Sequence, residues 1–232
     1  MWARCRGLAD AAILSLGYDA GLRVSELVAV ELEQIEAQED GSGLLELARS
    51  KTDQEGQGAW VWLSPDTMRR VASWQDAASI RSGVLFRRVA VTRTKPSAAR
   101  SALAIGDLAY NARVDRARMA ARPARAATVT YKIGEGALTS AAMRLIIKRT
   151  ALAAADQGLV DLMGTELVEA VNALSTHSLR VGLTQDLFAN GEDAGPIAQA
   201  LRWTSTATAL RYGRKLAPSS NAAARMLKGV RK

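Results

Sequence analysis

Four side chains in the stretch from Thr176 to Tyr212 can bind, polarise or attack a phosphate: His177, Arg180, Trp203 and Tyr212. Breaking a phosphodiester puts extra negative charge on two non-bridging oxygens. A planar guanidinium fork matches that geometry and stays charged at any physiological pH. Arg180 supplies one such fork, and Arg23, far away along the chain, supplies another. His177 and the Trp203 indole N–H add donors; removing one well-placed donor of this kind slows a reaction by about 100- to 1,000-fold. A tyrosine that attacks phosphorus forms a phosphotyrosyl ester, which stores the broken bond's energy covalently and needs no ATP. A free phenol titrates at about pH 10, so Tyr212 has to lose its proton as it attacks, helped by the positive field and by His177.

Such groups need elements to hold them. With Ser175 or Thr176 as a helix cap, His177 and Arg180 stand three residues apart on one face. Leu179, Leu183 and Leu187 then take the opposite, core-directed face. Asn190-Gly191 stops that helix, Pro196 suits the first turn of a short one over 197–201, and residues 204–210 deliver Tyr212. Upstream, residues 10–16 read as the end of an amphipathic helix closed by Gly17, and Gly21 as a turn glycine. A second helix begins over 22–27 and carries Arg23 and Glu26 one turn apart, a spacing equally suited to a surface ion pair. The pattern then changes to β-like runs over 34–37, 44–48 and 59–63, a small three-stranded antiparallel sheet. Lys51 falls in the polar, glycine-rich turn 50–58, where its flexible stem can swing towards a bound polyanion. Ser64-Pro65-Asp66 starts a helix whose Met68, Val71 and Trp74 form a core stripe. Residues 139–155 form another, with Met143, Ile146 and Ile147 inward and Lys148 and Arg149 outward.

The order His-x-x-Arg, then Trp, then Tyr nine residues after the Trp resembles the C-terminal motif of the tyrosine recombinases, also called the phage integrase family. Trp203 stands where most members have a second His. The run GLRVSEL, with Arg23 and Glu26, resembles that family's first catalytic box, and Leu85-Phe86 a minor landmark. The resemblance covers nearly the whole chain. It implies an α+β, predominantly helical catalytic domain over 1–232 with a small antiparallel three-stranded sheet. It also implies roles: Arg23 grips the scissile phosphate with Glu26 in support, Lys51 is the general acid, and Tyr212 is the nucleophile, with His177, Arg180 and Trp203 completing the set. Attack would give a 3′-phosphotyrosine and a free 5′-hydroxyl on double-stranded DNA, within a synapsed homo-tetramer. Members usually carry an N-terminal core-binding domain that completes a clamp around DNA, and this sequence reads as lacking it.

Composition points the same way. The chain has 232 residues, 48% apolar and 23% charged, which is ordinary for a globular protein rather than a disordered one. No apolar run reaches the roughly 20 residues that span a bilayer; a cytoplasmic protein with no membrane partner is the expectation. One cysteine and one histidine leave no multi-cysteine or histidine-rich metal site, so neither metal nor cofactor is expected. A net charge of +8 calls for a polyanion. The surplus is concentrated in residues 86–132, where eleven Lys or Arg face only Asp107 and Asp115, and the remainder of the chain is close to neutral. This basic insertion, with a helix expected over 105–121, reads either as a solvated Arg-Ala segment or as a DNA-tracking element through Arg87, Arg88, Arg113 and Arg116. Arg214 and Lys215 add charge beyond Tyr212. Residues 217–232 form an expected terminal helix, docked on a neighbouring protomer or on its own domain. Two other functions fit the same residues: a type IB topoisomerase-like nickase and a DNA-binding remnant that does not cut.

Overall fold

The computed structural model describes residues 3–47, 58–103, 120–214 and 226. Helix α1 (Ala3–Asp19) runs through the middle, with Ala9, Ala12, Ile13 and Leu16 buried at helical spacing. It continues through Gly17 instead of closing there. A Cβ on Gly17 would stand 2.9 Å from side-chain carbons of both Leu27 and Leu179, so this glycine is a clearance between helices. The stop comes later, at Gly21, whose φ of +52° suits a residue without a Cβ. Helix α2 (Val24–Ala29) follows, with Arg23 as its N-cap.

Strands β1 (Ile35–Ala37), β2 (Gly43–Leu47) and β3 (Ala59–Leu63) form the expected antiparallel sheet in the order β1-β2-β3, with Leu45 opposite Val61. Alternation puts Leu45, Leu47, Val61 and Leu63 into the core and leaves Trp60 and Trp62 on the other face. Helix α3 (Pro65–Ala78) starts as its sequence demands: Ser64 Oγ accepts from the Thr67 amide at 3.2 Å, with proline in the first turn. Its Trp74 is fully buried, and the indole N–H donates to the Leu85 carbonyl at 2.9 Å. Leu85 and Phe86 are core residues, each such side chain contributing about 1.5–3 kcal/mol by burial.

The basic insertion departs from expectation. Strands β4 (Arg87–Thr94) and β5 (Thr128–Ala137) pair as an antiparallel ribbon with an irregularity near Arg87 and Val89. Bridges Ser97–Arg125 and Arg100–Arg122 extend it. The β-branched and aromatic alternation Val89, Val91 against Val129, Tyr131 and Ile133 drives this pairing; the abundance of Ala and Arg concealed it. The sheet content is thus larger than the three strands expected. Residues 104–119, which include most of the expected helix 105–121, lie outside the described residues, as does the expected terminal helix except Met226.

Helix α4 (Ser140–Asp156) is capped by Thr139 and buries Met143, Ile146 and Ile147. Arg149 is not simply outward: it pairs with Asp10 of α1 at 2.5 and 2.6 Å. Helix α5 (Gly164–Ala173) leads to α6 (Ser178–Ala189), α7 (Ala194–Ala200) and α8 (Thr206–Tyr212). These last three close around a second, smaller core of Phe188, Ile197, Leu201 and Ala209. Among the described residues no helix is long and apolar enough to cross a membrane.

Candidate active site

Helix α6 begins one residue later than its nearest expected cap allowed, because His177 itself is the N-cap; Ser175 Oγ accepts from the His177 amide at 3.2 Å. Its buried stripe is also not the leucines. Arg180, Thr184 and Phe188, spaced by four, face the interior, while Leu183 and Leu187 are only partly buried. Arg180 is 1% exposed. Its Nη1 donates to the Gly21 carbonyl and its Nη2 to the Leu201 carbonyl, so one guanidinium ties the turn before α2 to the end of α7. Burial, then the nearby positive charges of Arg202 and Arg23, push its pKa down to about 10, which leaves it protonated at neutral pH.

His177 and Tyr212 meet across the gap between α6 and α8. The imidazole Nε2 lies 3.0 Å from the Tyr212 hydroxyl, a hydrogen-bond distance. Trp203 stacks on the Tyr212 ring, centroids 5.5 Å apart and planes inclined by 17°, and the Arg180 guanidinium lies 5.1 Å from the indole centroid. Burial lowers the His177 pKa, and the Arg180 and Arg23 charges lower it further. A neutral imidazole therefore faces the phenol, able to take its proton.

Arg23 reaches the same place from the other side. Its Nη1 donates to Glu26 Oε1 at 2.8 Å, its backbone N–H donates to Glu26 Oε2 at 2.8 Å, and its side chain is 35% exposed, open to an incoming phosphate. Burial alone would raise the Glu26 pKa. The hydrogen bonds from Arg23 and the charges of Arg202 and Arg23 outweigh it and hold the carboxyl below its usual range.

The structure thus brings Arg23, Glu26, His177, Arg180, Trp203 and Tyr212 together. Sequence reasoning missed Arg202, whose Nη2 donates to Glu26 Oε2 at 3.0 Å and whose Nη1 donates to the Ala20 carbonyl at 3.1 Å. Its only sequence signal is an arginine where a helix stop favours glycine. Lys51, Arg113, Arg116 and Lys215 lie outside the described residues. Arg88 is exposed on the ribbon, and Arg214 is exposed just past Tyr212. Arg87 is committed elsewhere: its Nε donates to Val84 O at 2.8 Å and its Nη2 to Ser82 O at 2.6 Å.

No family model matches the sequence. The chain is 24% identical over 227 residues to the recombinase Cre of Escherichia phage P1, covering 97% of this chain and 54% of Cre. Among solved structures, it superposes on XerA recombinase with a TM-score of 0.51 at 17% identity, covering 99% of this chain and 62% of that one. XerH site-specific recombinase bound to difH substrate, in a pre-cleavage complex, gives a TM-score of 0.52 at 13% identity, covering 88% and 42%. Its post-cleavage complex on palindromic difH gives 0.51 at 11% identity, covering 96% and 44%. The chain therefore spans about half the length of the curated relative it matches. The fold is that of a recombinase catalytic domain, α+β and mostly helical. The chain is thus similar to recombinases in sequence and in fold.

Proposed function

We propose that this chain is the catalytic domain of a site-specific DNA recombinase that breaks and rejoins double-stranded DNA through a 3′-phosphotyrosyl intermediate on Tyr212. The observation that carries the reading is the 3.0 Å approach of His177 Nε2 to the Tyr212 hydroxyl, beside the guanidiniums of Arg23 and Arg180. The phenol oxygen attacks phosphorus as neutral His177 accepts its proton. The P–O5′ bond breaks, and Lys51 protonates the departing oxygen. Arg23 and Arg180, supported by Glu26 and with Trp203 as a further donor, stabilise the charge on the non-bridging oxygens. Both Arg180 Nη groups already donate to main-chain oxygens, which uses two of the five guanidinium N–H donors and leaves the others for a phosphate.

The 5′-hydroxyl so freed reverses the reaction on the same or another strand, with no metal or ATP. Four copies synapsed on DNA would exchange strands in two rounds. Basic ribbon residues such as Arg88, and Arg214 beyond the nucleophile, suit contacts to the DNA backbone.

Incubation with a nicked suicide duplex tests this reading. A covalent protein–DNA adduct is expected from the wild type and none from Tyr212→Phe. An adduct persisting in Tyr212→Phe, or none with wild type, would overturn it. For Lys51, a substrate with a bridging 5′-sulfur, whose thiolate leaves unprotonated, should restore cleavage to Lys51→Ala. Relaxation of plasmids lacking any defined site would point to nicking without partner exchange.

A further inference from the structure

Arg202 is the charged residue of the cluster that the mechanism above leaves without a task. It follows α7 with φ of +53°, in the left-handed region that a Cβ disfavours. Its amide donates to Gln199 O at 3.0 Å and the Trp203 amide to Ala198 O at 2.8 Å, bonds that end a helix where glycine is usual. Such a conformation persists only where the surroundings enforce it. Here the guanidinium is held at two points, Glu26 Oε2 and Ala20 O, and its Nε is buried with no hydrogen-bond partner among the described residues.

Glu26 is consequently shared. Arg23 Nη1 takes Oε1, while Arg202 and the Arg23 backbone N–H take Oε2. The Nε and Nη2 of Arg23 carry no hydrogen bond among the described residues. A carboxylate facing a lone arginine prefers the two-pronged pairing that occupies two of its donors.

We propose that Arg202 is a positioning residue: by occupying one oxygen of Glu26 it prevents that carboxylate from absorbing both prongs of Arg23, and so keeps Arg23 donors free for the scissile phosphate. The phosphate half rests on the recombinase reading; the clamp on Glu26 does not. Arg23 and Arg202 face Glu26 directly, and Arg180 interacts with it through charge. Removing Arg202 therefore takes one of the two donors from Oε2, opening it to a second prong of Arg23, and weakens the field that keeps Glu26 ionised.

Arg202→Gly is the sharpest variant, because glycine keeps the left-handed turn and removes only the side chain; Arg202→Lys keeps the charge. The Glu26 carboxyl of the full chain is titrated by 13C NMR. Its midpoint should rise in Arg202→Gly and lie between in Arg202→Lys; an unmoved midpoint overturns the clamp. Tyr212 adduct formation on the nicked duplex is then timed across pH. Arg202→Gly should be slowed about 10- to 100-fold at neutral pH, with its acidic limb moved to higher pH, and Arg202→Lys should recover part of both. An unchanged rate, or a uniform loss with no shift of the limb, overturns the positioning role. A wild type forming no Tyr212-dependent adduct sinks the recombinase reading, while the Glu26 titration still decides the clamp.

Discussion

Arg180 and Arg202 sit among helix ends with main-chain oxygens on their nitrogens, whereas Arg88, Arg93 and Arg125 stand exposed on the β4–β5 ribbon. All five carry one positive charge. The first pair has fixed directions in a low-dielectric wall, Arg180 on the carbonyls of Gly21 and Leu201 and Arg202 on Glu26 and Ala20. The ribbon set is hydrated and screened beyond a Debye length of about 8 Å, so it attracts a polyanion without orienting it. Net charge alone could not separate these two uses; burial and partners do.

The largest way to break this contrast is Arg180→Met. It strands the Gly21 and Leu201 carbonyls, and urea unfolding should register a loss of about 2–4 kcal/mol. A loss no larger than that of a ribbon arginine would erase the distinction. Next comes Gly213→Ala, whose new Cβ would stand 2.2 Å from ring carbons of Phe188 in the small core. We expect about 1–3 kcal/mol of destabilisation by the same measurement, with weaker Tyr212 adduct formation because α8 must shift.

A smaller effect should follow acidity. Glu26 titrates below its ordinary range when folded, so its contribution is complete above that range and is lost as pH falls through the depressed value. His177 is also depressed. Its contribution is complete above the ordinary histidine value and declines as pH falls from there towards the folded value. Urea midpoints followed against pH should decline in both windows, and His177→Gln should flatten the upper one alone. The smallest stability change belongs to the ribbon. Arg88→Ala, Arg93→Ala and Arg125→Ala together should leave each site within about 0.5 kcal/mol. They should lower the salt slope of DNA binding by about 0.9 for each phosphate contact removed. An unchanged slope would deny the ribbon a role in DNA attraction.

Much of this was legible beforehand. The three-stranded sheet, the Ser64-capped helix and the stop at Asn190-Gly191 follow from local rules of alternation, capping and positive φ. The order of the motif also anticipated that Arg23, Glu26, His177, Arg180, Trp203 and Tyr212 would lie close together, while Lys51 lies outside the described residues. Two things were hidden. The ribbon was masked by an Ala- and Arg-rich composition that outweighed its β-branched alternation. The inward turn of Arg180 was masked because periodicity assigns leucines to the core, and only the oxygens of Gly21 and Leu201, remote in sequence, make an interior guanidinium tolerable. Arg202 could not be found for a similar reason: its partner Glu26 lies in a different helix.

Gly17 has a bearing on both ends of the chain. The helices that carry Arg23 and Arg180 each rest a leucine against that bare Cα, Leu27 from one and Leu179 from the other. A single methyl there would press on the tips of both leucines at once, so the seating of the two helices against α1 is gauged by an atom that is missing.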